Sequence, residues 1–367
     1  MSARPILIMA GGTGGHVFPA LALARLLREQ SRKVVWLGTQ RGLEARVVPA
    51  DGFPIEWLTV GGLRGKGLLT LLAAPYKLVA SLLQALAVMR RHRPAVVVGL
   101  GGFVTGPGGI AAWLCRRPLL IHEQNAIAGF TNRCLARVAR EVLTAFPGAF
   151  PAGVDTRLIG NPVRRDIATL PVPALRFAQH AGRLRLLIVG GSLGAARLNS
   201  TVPQALAQLA QSAPDAATRF EVRHQAGERL LAAARESYRT AGVDAQVTAF
   251  IEDMAEAYGW ADLIICRAGA LTVSELAAVG LGAVLVPYPN AVDDHQTHNA
   301  EYLVAAGAAL RIADRDFTPP RLASELLRFG SDRAALLRMA ESARALARPD
   351  AAQELLRTCL ALEREAA

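Results

Sequence analysis

The sequence predicts an α/β protein of two doubly wound parallel-sheet domains, and three observations carry that prediction. An apolar strand runs into a glycine-rich turn that opens a helix at ILIMAGGTGGH (residues 6–16), and the same device returns at LLIVGGSLGA (residues 186–195). Strand and helix patterns alternate along the chain, which is the signature of parallel sheets covered on both faces. At 367 residues the chain also exceeds what one hydrophobic core usually serves.

In order, short apolar runs place strands near 5–10, 33–37, 54–59, 95–99, 118–121 and 141–144. A second series follows near 185–190, 219–224, 246–250, 262–266, 283–287 and 308–312. The proline- and glycine-rich segment 146–164 between them reads as the linker, giving domains of 1–163 and 164–347. No strand follows the helices after about 318, so the last one, 348–367, is free to pack back on the first domain.

Composition narrows the class. The chain is 52% hydrophobic and 19% charged with 33 glycines, which excludes a largely disordered protein. Its four cysteines, at 115, 134, 266 and 359, have no C-x-x-C spacing, so neither a zinc site nor a disulfide framework is expected. The apolar stretch at the N-terminus breaks into glycines where a signal peptide would be cleaved, and a reducing cytoplasm is the expected compartment.

The net charge of +11 is unevenly spread: residues 1–166 hold 21 Lys+Arg against 8 Asp+Glu, and the rest hold 20 against 22. No carboxylate occurs between Glu56 and Glu123, while Arg64, Lys66, Lys77, Arg90, Arg91, Arg93, Arg116 and Arg117 fall in that interval. Such a stretch seeks anions. No nucleic-acid-binding pattern is present and aromatics are only 5%, so an anionic membrane surface is the expected partner rather than nucleic acid. Residues 67–94 are apolar with a basic end, but Pro75, Lys77, Ser81 and Gln84 interrupt them, so they read as lying on a bilayer rather than crossing it. An ordinary crossover helix with Arg90 to Arg93 complementing its C-terminal dipole is the alternative.

Neither glycine turn is a G-x-G-x-x-G fingerprint, and the strand KVVWLGTQ (33–40) ends without the acid that holds an adenosine ribose. No G-x-x-x-x-G-K-[ST] loop occurs either. What remains is a ligand bound at the carboxyl edges of two Rossmann-like sheets facing across a cleft, the arrangement of GT-B glycosyltransferases that bind activated sugars.

Seven ordered motifs then point to a family: GGTGGHVFPALALA (11–24), VGLGGFVTGPGG (98–109), HEQNAIAG (122–129), GNPVR (160–164), GGSLGA (190–195), CRAGALTVSE (266–275) and DDHQTHNA (293–300). Together they resemble the MurG family over nearly the whole chain. These are bacterial transferases that move N-acetylglucosamine from UDP-GlcNAc to the C4 hydroxyl of a lipid-linked muramyl-pentapeptide in peptidoglycan synthesis. The resemblance implies an inverting glycosyltransferase on the cytoplasmic face of the inner membrane, associated with wall and division proteins and needing no cofactor.

It also implies residue roles. Ala270, Leu271, Thr272, Val273 and Ser274 would contact the donor pyrophosphate, Glu275 the ribose hydroxyls, Ser192 and Arg164 the phosphates, and Ile251 the uracil through its backbone. Gln296 would hold the sugar hydroxyls. On the N-terminal side, Thr13, Gly14 and Gly15 would hold the sugar and the acceptor pyrophosphate, with Asn125 on the N-acetylglucosamine. His16, whose imidazole ordinarily titrates near neutral pH, suits the general base on the acceptor hydroxyl, and Glu123 is its rival. Bland readings stand beside these: His16 as a helix-start residue packed on the second glycine turn, Glu123 as a structural acid paired with an arginine, Arg164 as a surface linker arginine, Ile251 as a core residue. His92, His122, His224 and His298 read as structural or surface residues. Asp293, Asp294 and His295 could in principle hold a metal ion, but Asp suits a helix start there and no metal is expected.

Phe103, Leu193 and Ala268 stand where the family pattern has tyrosine, glutamine and serine, and each deletes a hydrogen-bonding group. Two other classes stay open on the residues: a UDP-GlcNAc 2-epimerase on the same scaffold, and a non-catalytic UDP-sugar or lipid-binding subunit.

Overall fold

The computed structural model describes residues 4–59, 74–180, 182–191 and 194–366. The chain forms two compact units, one of residues 1–162 with 349–367 and one of residues 163–348.

The first unit is a seven-stranded sheet of β1 (Ile6–Met9), β2 (Val34–Gly38), β3 (Ile55–Trp57), β4 (Val96–Gly99), β5 (Leu119–Glu123), β6 (Glu141–Thr144) and β7 (Arg157–Leu158). The order is β3-β2-β1-β4-β5-β6-β7 with every neighbouring pair parallel. Successive side chains of a strand point to opposite faces, so a strand covered on both sides must be apolar throughout. Thus Ile6 and Ile8 join the core under the helix Gly14–Glu29, and Leu7 and Met9 join the one under the helices Ala74–His92 and Thr105–Leu114.

The second unit repeats the plan with β8 (Leu184–Val189), β9 (Phe220–Gln225), β10 (Gln246–Thr248), β11 (Leu263–Cys266), β12 (Gly282–Leu285) and β13 (Ala309–Arg311). Its order is β10-β9-β8-β11-β12-β13, again all parallel. In each sheet the strand order reverses next to the glycine-turn strand, between β1 and β4 and between β8 and β11. Such a switch point opens a crevice at the carboxyl ends of its strands.

The last helix, Ala351–Glu365, belongs to the first unit. Leu355, Leu356, Cys359 and Leu362 form an apolar stripe at helical spacing, buried with Ile6 and Ile8. Arg32 meets Glu363 at 3.1 Å, and the Arg157 guanidinium donates to the Thr358 hydroxyl.

The segment read as linker is corrected in part. Residues 157–158 form β7, Ile159 is buried and its N–H donates to the Thr144 carbonyl at 2.9 Å. Glycine and proline mark the bends on either side, but a two-residue strand is too short for periodicity to reveal.

Residues 60–73, with Arg64, Lys66 and the start of the apolar run, lie outside the described residues. Among those described, no helix is long and apolar enough to cross a membrane. At the basic end of the helix Ala74–His92, Arg91 and His92 share Glu56 at 3.1 and 2.7 Å. The exposed apolar residues, Tyr76, Leu78, Val79 and Leu83, are at its other end, and the helix Thr105–Leu114 packed beside it exposes Ile110, Trp113 and Leu114.

Candidate active site

At the first switch point the turn after β1 meets the turn after β4. Gly11 N–H donates to the Gly101 carbonyl at 3.3 Å, and a Cβ on Gly102, whose φ is +88°, would lie 2.4 Å from the Gly11 carbonyl oxygen. Only glycine permits that approach. The turn also holds a carboxylate of its own. Fully buried Glu44 accepts from Gly12 N–H at 2.9 Å through Oε2, and from the Thr39 N–H and hydroxyl at 2.9 and 2.7 Å through Oε1. Gly11, Gly38 and Gly42 surround it so closely that a Cβ on any of them would collide with the side chain.

Thr13, Gly14 and Gly15 open the helix. The first helical bonds run from His16 N–H and Val17 N–H to the Thr13 carbonyl, so the amides of Gly14 and Gly15 come ahead of the ladder and point off the helix start. The half-buried His16 ring lies against Gly101, where a Cβ would come 2.6 Å from its Cδ2, and Nδ1 is 3.3 Å from the Gly11 carbonyl. A carbonyl only accepts, so Nδ1 carries the proton in this contact and neutral His16 keeps its lone pair on Nε2.

Glu123, its rival, is engaged otherwise. It is buried at the end of β5, where Oε1 accepts from the Asn125 N–H and Nδ2 and Oε2 accepts from Gly129 N–H and Asn132 Nδ2, all within 3.2 Å. Four donors occupy the lone pairs a base would need, so the geometry favours a carboxylate that folds the loop carrying Asn125. Its partners are amides, not an arginine. Fully buried His122 bridges the Gly160 carbonyl and the Gln124 amide at 2.9 and 3.0 Å, and burial pushes its pKa down.

In the second unit the turn after β8 contains Ser192 and Leu193, which lie outside the described residues. Around them, Gly191 and Gly194 have φ of +78° and +75°, and buried Gln225 donates to the Gly191 carbonyl at 3.1 Å. Beneath it His224 is held between Asn199 and Tyr238, and burial lowers its pKa to about 3, so it stays neutral.

After β11, Gly269 precedes the helix Ala270–Val279, whose first internal bond is Val273 N–H to the Gly269 carbonyl. The amides of Leu271 and Thr272 therefore point off the helix start. Glu275, one turn in, is half-buried and accepts from the Tyr258 hydroxyl at 2.9 Å. Burial pushes its pKa up to about 7, against the Tyr258 hydrogen bond and the nearby charge of Arg164, while Asp166 adds to the rise. Tyr258, buried and beside that carboxylate, is held well above the ordinary phenol range and stays a donor. Arg164, half-exposed, pairs with Asp166 at 3.2 Å. The structure thus brings Arg164 and Glu275 together, residues 111 positions apart in sequence.

Gln296 spans two loops: its Oε1 accepts from Ala268 N–H and Tyr288 N–H at 3.2 and 2.9 Å, which turns the Nε2 donors away from them. Ile251 sits half-buried in the loop after β10. Asp294 stands at the start of the helix His295–Val304, but its carboxylate takes the Thr297 hydroxyl at 2.7 Å rather than a backbone amide, and Asp293 and Asp294 both have φ above +50° or at it. No group of three His, Cys, Asp or Glu side chains among the described residues could hold a metal ion.

Sequence reasoning missed Glu44, Tyr258, Asn299 and Arg267. Asn299, fully buried, donates to the Ala268 carbonyl at 3.2 Å. Arg267 donates to the Val286 carbonyl at 3.0 Å and to Asp314 at 2.6 Å, tying the loops around the β11 turn. Asn299 and Arg267 lay inside quoted motifs, but their partners did not show there; Glu44 and Tyr258 lay outside every motif and pair with Gly12 and Glu275.

Known proteins agree with this arrangement. Residues 6–144 match the glycosyltransferase family 28 N-terminal domain and residues 185–355 match the family 28 C-terminal domain. Two curated relatives are each a UDP-N-acetylglucosamine–N-acetylmuramyl-(pentapeptide) pyrophosphoryl-undecaprenol N-acetylglucosamine transferase. That of Alkalilimnicola ehrlichii is 60% identical over 97% of this chain and 98% of its own length, and that of Marinobacter nauticus is 55% identical over 97% of each. The crystal structure of Acinetobacter baumannii MurG superposes with a TM-score of 0.85 at 43% identity, over 98% of this chain and 99% of that one. The chain belongs to glycosyltransferase family 28 and, within it, to the MurG family.

Proposed function

We propose that this protein transfers N-acetylglucosamine from UDP-N-acetylglucosamine to the C4 hydroxyl of undecaprenyl-pyrophosphoryl-N-acetylmuramoyl-pentapeptide, a step of peptidoglycan synthesis. The observation that carries this reading is identity of 60% and 55%, over nearly the full chain, to curated transferases named for that reaction.

The chemistry follows from the two switch points. On the second unit, the donor's ribose hydroxyls donate to Glu275, oriented by Tyr258, while Arg164, Ser192 and the amides of the Ala270–Ser274 turn meet the diphosphate. The Ile251 backbone reads the uracil edge, and Gln296 Nε2 donates to the sugar. On the first unit, Thr13, Gly14 and Gly15 hold the acceptor side and Asn125 the N-acetyl sugar. His16 Nε2 takes the proton of the acceptor C4 hydroxyl as its oxygen attacks C1 of the sugar. The C1–O bond to UDP breaks with its electron pair going to the phosphate, where the N–H donors and Arg164 receive the charge. A single displacement inverts C1 and gives a β-1,4 bond. Glu123 acts as a positioning residue for the Asn125 loop.

Peripheral attachment to the cytoplasmic face of the inner membrane belongs to the same reading. It is supported by the exposed Tyr76, Val79, Leu83 and Trp113 and by the basic excess of the N-terminal half.

Incubation with UDP-N-acetylglucosamine and the lipid-linked muramyl-pentapeptide tests the activity. Disaccharide-lipid and UDP are the expected products. Epimerised UDP-sugar formed without acceptor, or no product at all, would favour an epimerase or a binding subunit instead.

A further inference from the structure

The second unit holds a carboxylate beside Arg164 and Glu275 that the proposed reaction does not use. Asp166 lies in the first turn of the short helix Arg165–Ala168, which packs against the helices Met254–Trp260 and Ala270–Val279 that carry Tyr258 and Glu275. The segment is anchored from below. Ile167 is fully buried, and a Cβ on Gly259 would lie 3.3 Å from the Leu170 side chain. The carboxylate is held too: Oδ1 accepts from the Ile167 N–H at 3.0 Å, and Oδ2 meets the Arg164 guanidinium at 3.2 Å.

This arrangement bears on an anionic ligand in two ways. A diphosphate that draws the long Arg164 side chain to itself competes with a carboxylate fixed at the helix start. The same charge also reaches Glu275. Burial is the main reason that the Glu275 pKa stands at about 7; Asp166 adds to the rise, while the Tyr258 hydrogen bond and Arg164 oppose it. The groups that act on Glu275 are Tyr258 from the helix Met254–Trp260, Cys266 from β11, and Arg164 and Asp166 from this segment. Burial keeps Tyr258 and Cys266 neutral, so Asp166 is the one negative charge among these four. Ribose hydroxyls donate to an ionised Glu275, and a neighbouring anion favours its neutral form.

Given the assignment of the donor to Arg164 and Glu275, we propose that Asp166 sets the nucleotide affinity of the site, weakening it by competing with the diphosphate for Arg164 and by placing a second negative charge close to Glu275. Exposure bounds the effect. Both partners of the pair are half-exposed, and pairs of that kind shift an equilibrium by at most about fivefold.

Calorimetric titration of the full chain with UDP-N-acetylglucosamine, whose diphosphate does not titrate near neutrality, tests this at low ionic strength. Asp166→Asn keeps an acceptor for the Ile167 N–H and removes the charge. At pH 8 it should tighten binding about two- to fivefold, and added salt should shrink the gain. In an Arg164→Gln background the same change should gain less than about twofold, because the contested arginine is gone. The pH midpoint of affinity, set by Glu275, should move down with Asp166→Asn and up with Arg164→Gln, opposite shifts that a merely structural role would not produce. Unchanged or weaker binding by Asp166→Asn, or an equal gain with and without Arg164, would overturn the role of Asp166 alone. Unchanged affinity in both Arg164→Gln and Glu275→Ala would overturn the donor assignment, and this role with it.

Discussion

The two glycine turns look like one device used twice, yet they differ in who supplies the negative charge. In the first, Gly12 N–H already points at buried Glu44, and three glycines crowd around that side chain. In the second, no described carboxylate meets the turn after β8, and the acid of that unit, Glu275, sits on the neighbouring helix start with Tyr258 and Arg164 beside it. An internal carboxylate takes the Gly12 N–H that a ligand would otherwise use. A repeated strand-turn-helix motif therefore need not present the same free donors twice.

The largest expected effect falls on the first turn. His16→Ala should lower kcat by about 10² to 10⁴ with donor affinity nearly unchanged, because a base acts in the transition state and the donor is assigned to the other unit. Steady-state kinetics with a UDP titration checks this, and a parallel loss of UDP affinity would erase the division of labour. Glu123→Gln, which keeps an acceptor for part of the loop, should cost much less.

Next comes the internal anion. Glu44→Ala should destabilise the first unit by about 2–4 kcal/mol, since it strands the Gly12 and Thr39 N–H groups and leaves a hole, measured as a lower denaturant midpoint.

Glu275→Ala should weaken UDP by about 1.5–3 kcal/mol per lost ribose bond before water compensates. Here pH sharpens the contrast. An acid raised from 4.5 to about 7 favours its neutral form in the fold, so this group's contribution to stability falls as pH rises from 4.5 to 7 and then levels. Binding runs the other way, because ribose hydroxyls donate to the carboxylate: affinity for UDP-N-acetylglucosamine, whose doubly esterified diphosphate does not titrate there, should drop as pH falls through about 7. Glu275→Gln should flatten that profile while raising thermal stability at pH 8. An unchanged pH profile would remove Glu275 from the ribose site.

The smallest effect concerns the bilayer, where Val79→Glu and Leu83→Glu should each release the protein from anionic vesicles by about 1–3 kcal/mol. Arg91→Glu, which breaks a pair with Glu56, should matter less there than either.

Much of the fold was legible because its signals are local. Among the described residues thirteen strands include the twelve expected runs; the central ones are apolar and buried on both faces, the edge strands β3, β10 and β13 only in part, and only β7 was hidden by its length. The site was legible where a motif is contiguous, as in Ala270 to Glu275. It was not legible where a group acts through a distant partner: Glu44 lies 32 residues from Gly12, and Tyr258 lies 17 from Glu275. Sequence spacing carries helical and strand periodicity, but it carries no information on which side chain crosses from one strand's exit to the next.

The sequence by itself determined two parallel α/β domains, their glycine turns, the family and the uneven charge, because composition, periodicity and ordered motifs are properties of the chain read along its length. Tertiary structure alone decided that Glu123 spends its oxygens on the 125–132 loop, that Glu44 fills the first turn, that Arg91 is claimed by Glu56 and that the final helix completes the first core. Those outcomes rest on which donors and apolar surfaces arrive within hydrogen-bond or van der Waals reach, and that is set by strand order rather than by position in the chain.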